Sequence, residues 1–115
     1  LSAYRRAVNI LKIEEKNDGR AFQGDVQEDL FVQSDEKVLH EGLTRADRAI
    51  VGAMKREEFD IAMKAVAALR VPVDAFFDCV TVNVEQKNLR ENRLRILNQM
   101  RSALDGIAIF SKIER

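Results

Sequence analysis

Apolar residues recur at helical spacing near the start of the chain and predict a first helix over residues 2–16. This helix is expected to end before Gly19, because Asn-Asp-Gly is typical of a helix terminus. Its predicted apolar face consists of Tyr4, Ala7, Val8 and Leu11. Residues 19–33 have no clear periodicity, and so long a loop is uncommon in a compact domain. Such a loop is functional, mobile or fixed to the core, and we expect the last, through packing of Leu30 and Phe31.

The rest of the chain is also predicted to be helical. Helices are expected over residues 35–56, 57–69, 72–79 and 83–109. Ser34 is a candidate N-cap for the first of these, and Asn83 with Gln86 forms a capping-box pattern before the last. Pro72 separates the middle two, because proline cannot donate a hydrogen bond in a helix interior. The pattern predicts an all-α fold, a single helical bundle of about five helices with a long loop after the first, in one domain over residues 1–115.

Composition and charge limit the class of protein. The 115 residues are 46% hydrophobic and 33% charged, as in an ordinary globular chain, and no apolar run has the length of a membrane span. The lone Cys79 agrees with a reducing compartment, and a cytoplasmic location is expected. The 19 basic and 19 acidic residues cancel, but residues 1–20, 21–60 and 61–115 carry net charges of +2, −5 and +3. Because the ends of the chain are basic and the middle is acidic, a polyanionic partner is not excluded by the zero net charge.

Residues that commonly perform catalysis are scarce in this sequence. His40 is the only histidine, and it falls on the polar side of its helix, where we expect it to be exposed to solvent. Cys79 has no basic neighbour in sequence to lower its pKa, so a packed and inert thiol is expected. Neither a catalytic nor a metal-binding motif occurs, and no catalytic or metal-binding residue is predicted.

Two groups of basic residues share helix faces. On the first helix, Arg5, Asn9, Lys12 and Lys16 fall within an arc of about 60° at 100° per residue. On the last helix, Lys87, Arg90 and Arg101 follow one edge of the apolar stripe. If these two helices pack side by side, the two groups would merge into one positive surface suited to phosphates. The alternative is that both groups are ordinary solvated helix faces.

Arg93 differs from these cations because it falls within the apolar stripe of the last helix. A buried guanidinium needs carboxylate partners, and Asp74 and Asp78 are spaced by four residues on the short preceding helix. We therefore predict a buried structural pair between Arg93 and one of these aspartates. Phe76 and Phe77 on the same short helix are expected to pack in the core, although one of them stacking on a nucleobase is the alternative.

The segment from "PVDAFFDCVTVN" through "LRENRLRILNQMR" resembles the DALR-type anticodon-binding family, in the form found at the C-terminus of bacterial glycyl-tRNA synthetase beta subunits. The first helix, "YRRAVNILKIEEK", and the closing "GIAIFSKIER" are similar to the same family. The stretch that gives the family its name falls on residues 87–90, where Leu89 and Arg90 match. The chain is thus expected to be a C-terminal fragment of a larger subunit.

The resemblance implies a helical bundle that binds the anticodon arm of glycine tRNA. It also implies that ATP-dependent aminoacylation takes place elsewhere, in a heterotetramer with an alpha subunit that carries the catalytic core. ATP and Mg²⁺ would be used by the parent enzyme, with no cofactor in this domain and neither a membrane nor DNA as partner. The rival hypothesis, which the zero net charge favours, is a helical protein–protein interaction module without RNA contact.

Overall fold

A computed structural model describes the backbone of residues 2–113 and the side chains of residues 3–105 and of Ile107. Its elements are α1 (Ser2–Asp18), a short 3-10 helix (Glu28–Leu30), α2 (Ser34–Lys55), α3 (Phe59–Ala67), α4 (Arg70–Cys79) and α5 (Lys87–Ile113). The all-helical prediction is confirmed, since residues 2–113 contain no strand. The prediction of about five helices with a long loop after the first is matched in part. The loop after α1 holds a 3-10 helix, and only two residues separate α3 from α4.

Three helix starts differ from the predicted ones by two residues or more. Glu57 has a left-handed φ of 56°, which ends α2 and delays α3 to Phe59. The next helix, α4, begins at Arg70 and places Pro72 in its first turn, where backbone N–H groups have no helical partner and proline costs little. Asn83 does not cap α5, because its Oδ1 accepts a hydrogen bond from Arg90 Nε instead, at 2.9 Å.

One apolar core joins all five α-helices. Helix α5 packs against α1 and α2, while α2 also contacts α3 and α4. The helix-spaced stripes read from the sequence face this core, because burying them removes apolar surface from water. Among its fully buried side chains are Leu11 of α1, Leu39 and Leu43 of α2, Phe76 of α4, and Leu94, Leu97 and Met100 of α5. The expectation that Phe76 packs in the core is confirmed.

The loop between α1 and α2 is fixed to the bundle at several points. Phe31 packs against the core as predicted, but the fully buried anchor is Phe22. The side chain of Asn92, buried in α5, forms two hydrogen bonds with the backbone of Gln27: its Oδ1 accepts from the N–H at 2.7 Å, and its Nδ2 donates to the carbonyl at 2.9 Å. These bonds satisfy a buried amide and a loop backbone at once. The loop therefore has a defined path across α5.

Candidate nucleic-acid interface

Four polar side chains of α1 form an exposed row on the side of the helix opposite the core. Arg5, Asn9, Lys12 and Lys16, which we call the α1 strip, are all exposed, whereas Ala7 and Leu11 on the other side are fully buried. Among the described residues, none is positioned to form an ion pair with the three cations of the α1 strip. Over about 16 Å of helix, the strip thus presents three positive charges and one amide to solvent.

The cation of Arg90 is already used inside the molecule. Its Nη2 lies 2.7 Å from Glu14 Oε1, and its Nη1 lies 2.8 Å from Asp18 Oδ2. The hydrogen bonds to these two carboxylates raise the pKa of Arg90. In the other direction, the bond from Arg90 is the main cause that lowers the pKa of Asp18, with smaller help from the charges of Arg20 and Lys87. Arg90 thus fastens α5 to the end of α1.

Arg101 makes a similar contact about three turns further along α5. Its Nη2 lies 2.8 Å from Glu15 Oε2 and 2.7 Å from Asn98 Oδ1. The hydrogen bond to Glu15 raises the pKa of Arg101. The predicted merging of two basic rows is therefore wrong. Helices α1 and α5 do pack together, but two cations of α5 meet acids of α1. Lys87 is the exposed member of its group.

Arg93 is buried as predicted, but its predicted partners are wrong. Its Nε lies 3.1 Å from Glu36 Oε1, and its Nη1 donates to the Thr81 carbonyl at 2.7 Å. Asp74 and Asp78 are exposed, because they project from α4 away from its buried face. Asp74 Oδ2 instead lies 4.0 Å from Nε of Arg70 on the same helix.

Glu36 is the structural residue that the sequence reasoning missed. It is fully buried in the first turn of α2, and its Oε2 accepts hydrogen bonds from the backbone N–H groups of Val32 and Gln33, each at 2.9 Å. The N-cap of α2 is therefore Gln33 and not the predicted Ser34. A signal was present, because Glu36 lies three residues before Leu39 and thus on the apolar stripe of α2.

A shallow groove of about 410 Å³ runs beside the α1 strip, between α1 and the end of α4 with the connection that follows it. Ile10 and Ile13 of α1 form one side, and Phe77 and Val82 lie across from them. Arg6 lies at its rim, with the guanidinium carbon 4.5 Å from the centroid of the Phe77 ring. Ile13 is 60% exposed, so the α1 side of the groove presents apolar surface to solvent.

The two residues considered for catalysis differ from expectation in their surroundings. His40 is partly buried, with its Nδ1 2.9 Å from Gln99 Oε1 and its ring against Phe31, so the prediction of a solvent-exposed ring is wrong. Cys79 is exposed rather than packed, and the negative charge of Asp35 is the main cause that raises the pKa of its thiol. A raised pKa disfavours the reactive thiolate.

Within the described part of the chain, no group of histidine, cysteine and acidic side chains is arranged to hold a metal ion. In the same part, no helix has the length and apolarity to cross a membrane.

Known proteins match nearly the whole chain. Residues 1–110 match the model of the DALR anticodon binding domain. The chain is 46% identical over 115 residues to a protein of Rhodospirillum centenum named glycine–tRNA ligase beta subunit. The aligned region covers 99% of the chain and 16% of the relative. A protein of the same name from Phenylobacterium zucineum is 42% identical over 113 residues, covering 98% of the chain and 17% of the relative. No solved structure matches significantly.

The chain spans about a sixth of the length of these curated relatives. The family match, by contrast, extends from residue 1 to residue 110, so it includes α1 to α4 and most of α5. An all-helical bundle with a row of cations that have no acidic partner among the described residues agrees with a family that is described by anticodon binding. The chain belongs to the DALR anticodon-binding domain family.

Proposed function

We propose that this chain binds the anticodon arm of glycine tRNA, as the anticodon-binding domain of a glycine–tRNA ligase beta subunit. The proposal rests on the α1 strip, whose cations are exposed and unpaired among the described residues. We take glycine as the amino acid of the tRNA from the names of the relatives, since proteins 39–46% identical to the chain are called glycine–tRNA ligase beta subunits. A tRNA backbone is the polyanion that such a domain would contact.

In this proposal the domain acts by positioning. Arg5, Lys12 and Lys16 contact phosphates, which fixes the orientation of the RNA but carries no sequence information. Asn9 lies within the same row and has both a donor and an acceptor, so it can pair with the edge of an unstacked loop base. Affinity thus comes from the cations, and discrimination between anticodons comes in part from the amide.

The remaining activity is proposed for the larger protein. ATP-dependent activation of glycine and its transfer to tRNA would take place in an assembly with an alpha subunit, with ATP and Mg²⁺ bound outside this domain. A cytoplasmic location is part of the same proposal. The rival hypothesis of a protein-interaction module without RNA contact is disfavoured, because the matching family is described by anticodon binding.

A filter-binding titration of the 115-residue chain tests the proposal. Glycine tRNA and a tRNA with a mismatched anticodon would be compared at two or more salt concentrations. Tighter binding of glycine tRNA, weakened by salt, is the expected result, because phosphate contacts release counterions. Binding that is equal for both tRNAs and insensitive to salt would contradict the proposal.

Single substitutions then locate the surface. Lys12→Ala should weaken binding of every tRNA and lower the salt slope by somewhat under one unit. The matched control is Lys64→Ala, which removes an equal charge from an exposed position on α3. Equal losses in the two variants would mean that the α1 strip has no special role.

Asn9→Ala gives the complementary measurement. Because a neutral amide releases no counterions, the salt slope should stay nearly unchanged, while the preference for the glycine anticodon decreases. If preference and slope both match those of the unmodified chain, Asn9 does not contact a base. The exposed Lys87 on α5 would then be the next candidate contact to test.

A further inference from the structure

We infer that the groove between α1 and the end of α4 holds one unstacked nucleobase of the RNA that lies on the α1 strip. This inference rests on the proposed function and adds to it the position of a base-binding pocket. The pocket is lined by Arg6 and Ile13, about two turns apart on α1, by Phe77 of α4 across from them, and by Asn83 of the following connection.

The groove and the α1 strip are adjacent on one helix. At 100° per residue, Ile13 lies about 40° around α1 from Asn9, and Arg6 only about 20° further. A strand whose phosphates contact Lys12 and Lys16 would therefore run along the edge of the groove. The apolar surface thus lies where a base attached to that strand can turn inward, which is how proteins commonly recognise single-stranded RNA.

Arg6 has the geometry of a stacking platform. Its guanidinium lies over the Phe77 ring at 4.5 Å, and the residue is exposed. A planar guanidinium held in this way by an aromatic ring can receive a base on its other face, with less loss of side-chain freedom than a mobile arginine would suffer. The exposed Ile13, at 60%, lies about 10 Å further along the same helix and provides apolar surface against the edge of the base.

The polar groups of the groove leave one amide free to select a base. Asn83 Oδ1 accepts a hydrogen bond from Arg90, which fixes the orientation of this amide. Its Nδ2 has no partner among the described residues, so it can donate to a base carbonyl or ring nitrogen. Glu14 also lines the groove, but its charge is balanced by Arg90 at 2.7 Å and does not repel the RNA.

Two variants of the 115-residue chain test the groove without removing charge. Ile13→Ser removes apolar surface, and Arg6→Lys keeps the charge but loses the planar stacking group. Both residues are exposed, so both variants should keep the helical circular dichroism spectrum and melting temperature. Each should bind glycine tRNA about fivefold or more weakly, in line with the contribution of one stacked base, while the salt slope stays unchanged. The matched control is Ile61→Ser, an exposed isoleucine on α3.

An RNA series identifies the base. Glycine tRNA transcripts that carry a single abasic site at each position of the anticodon loop would be titrated against the unmodified chain and against Ile13→Ser. One abasic position should weaken binding to the unmodified chain and have little further effect on Ile13→Ser, because both changes remove the same contact.

The outcomes separate this inference from the proposed function. If Ile13→Ser and Arg6→Lys bind like the unmodified chain while Lys12→Ala binds weakly, the groove holds no base and the proposed function stands. If Ile61→Ser loses as much affinity as Ile13→Ser, the inference also fails. If the unmodified chain binds no tRNA, the proposed function fails and the inference fails with it.

Discussion

Arg90 and Arg93 lie three residues apart on α5 and differ in how deeply they and their partners are buried. Arg93 has a 6% exposed side chain, and the side chain of its partner Glu36 is fully buried. The side chain of Arg90 is 16% exposed, and those of its partners Glu14 and Asp18 are 10% and 27% exposed. Loss of Arg93 would leave Glu36 buried without a partner, whereas water and ions can reach Asp18 if Arg90 is lost. The same side chain thus fixes the core at one position and fastens a helix edge at the other.

The buried pair should give the largest effect. Arg93→Ala leaves the Glu36 carboxylate buried without its cation, so the free energy of unfolding should fall by about 3 kcal/mol. Urea unfolding followed by circular dichroism measures this value. The double variant Arg93→Ala with Glu36→Gln should recover part of the loss, because it has no unpaired buried charge. A cost below about 1 kcal/mol for Arg93→Ala would show that the two environments are equivalent.

The edge pair should give a smaller effect that depends on salt. Arg90→Ala should lower the free energy of unfolding by about 1 kcal/mol, since solvent screens its ion pair with the more exposed Asp18. The difference between this variant and the unmodified chain should shrink as ionic strength rises, whereas the cost of Arg93→Ala should change little. Urea unfolding at low and high NaCl concentration measures both. A cost of Arg90→Ala that is independent of salt would contradict the comparison.

Acid should weaken the ion pair between Arg90 and Asp18, and the pH dependence of stability should show the contribution of Asp18. The hydrogen bond from Arg90 lowers the pKa of Asp18 below its ordinary value of 3.8. A lowered folded-state pKa contributes stability that is fully present above the ordinary value and is lost as pH falls through the lowered one. Asp18→Asn should therefore be less stable than the unmodified chain at pH 7, with the difference disappearing in strong acid. The control is the same substitution in Arg90→Ala, where this pH dependence should be largely absent.

The smallest effect is expected for RNA binding by a cation that is already paired. Arg101 is bonded to Glu15 at 2.8 Å, so Arg101→Gln should lower the salt slope of tRNA binding less than Lys12→Ala does. Filter binding at several salt concentrations measures both slopes. Equal slopes for the two variants would mean that Arg101 leaves Glu15 to contact a phosphate.

Sequence patterns predicted what depends on a single helix and missed what depends on how two helices meet. The exposure of the α1 strip and the burial of Arg93 both follow from periodicity along one element. The partners of Arg90 and Arg93 do not, because Glu14 and Glu36 reach α5 from positions 76 and 57 residues away. No local pattern fixes that register.

The loop illustrates the same limit. Phe22 lies in a segment without periodicity, so nothing in its neighbourhood distinguishes it from the other apolar residues of that segment. The loop was expected to be fixed by Leu30 and Phe31, which are each only partly buried, while Phe22 is fully buried. Deep burial of a loop residue depends on the shape of the core beneath it, and this shape appears only when the helices have packed.

The two hydrogen bonds between Asn92 and Gln27 have a consequence for the order of folding. They join residues 65 positions apart, and α5 also supplies the partners of Glu14 and Glu36. During synthesis, α1, the loop and the start of α2 leave the ribosome long before α5 does. Until α5 emerges, the apolar surface of these segments stays exposed, and Glu14 and Glu36 lack their arginine partners. Contacts so distant in sequence slow folding. We expect the loop to remain sensitive to proteases in ribosome-bound chains until α5 has emerged.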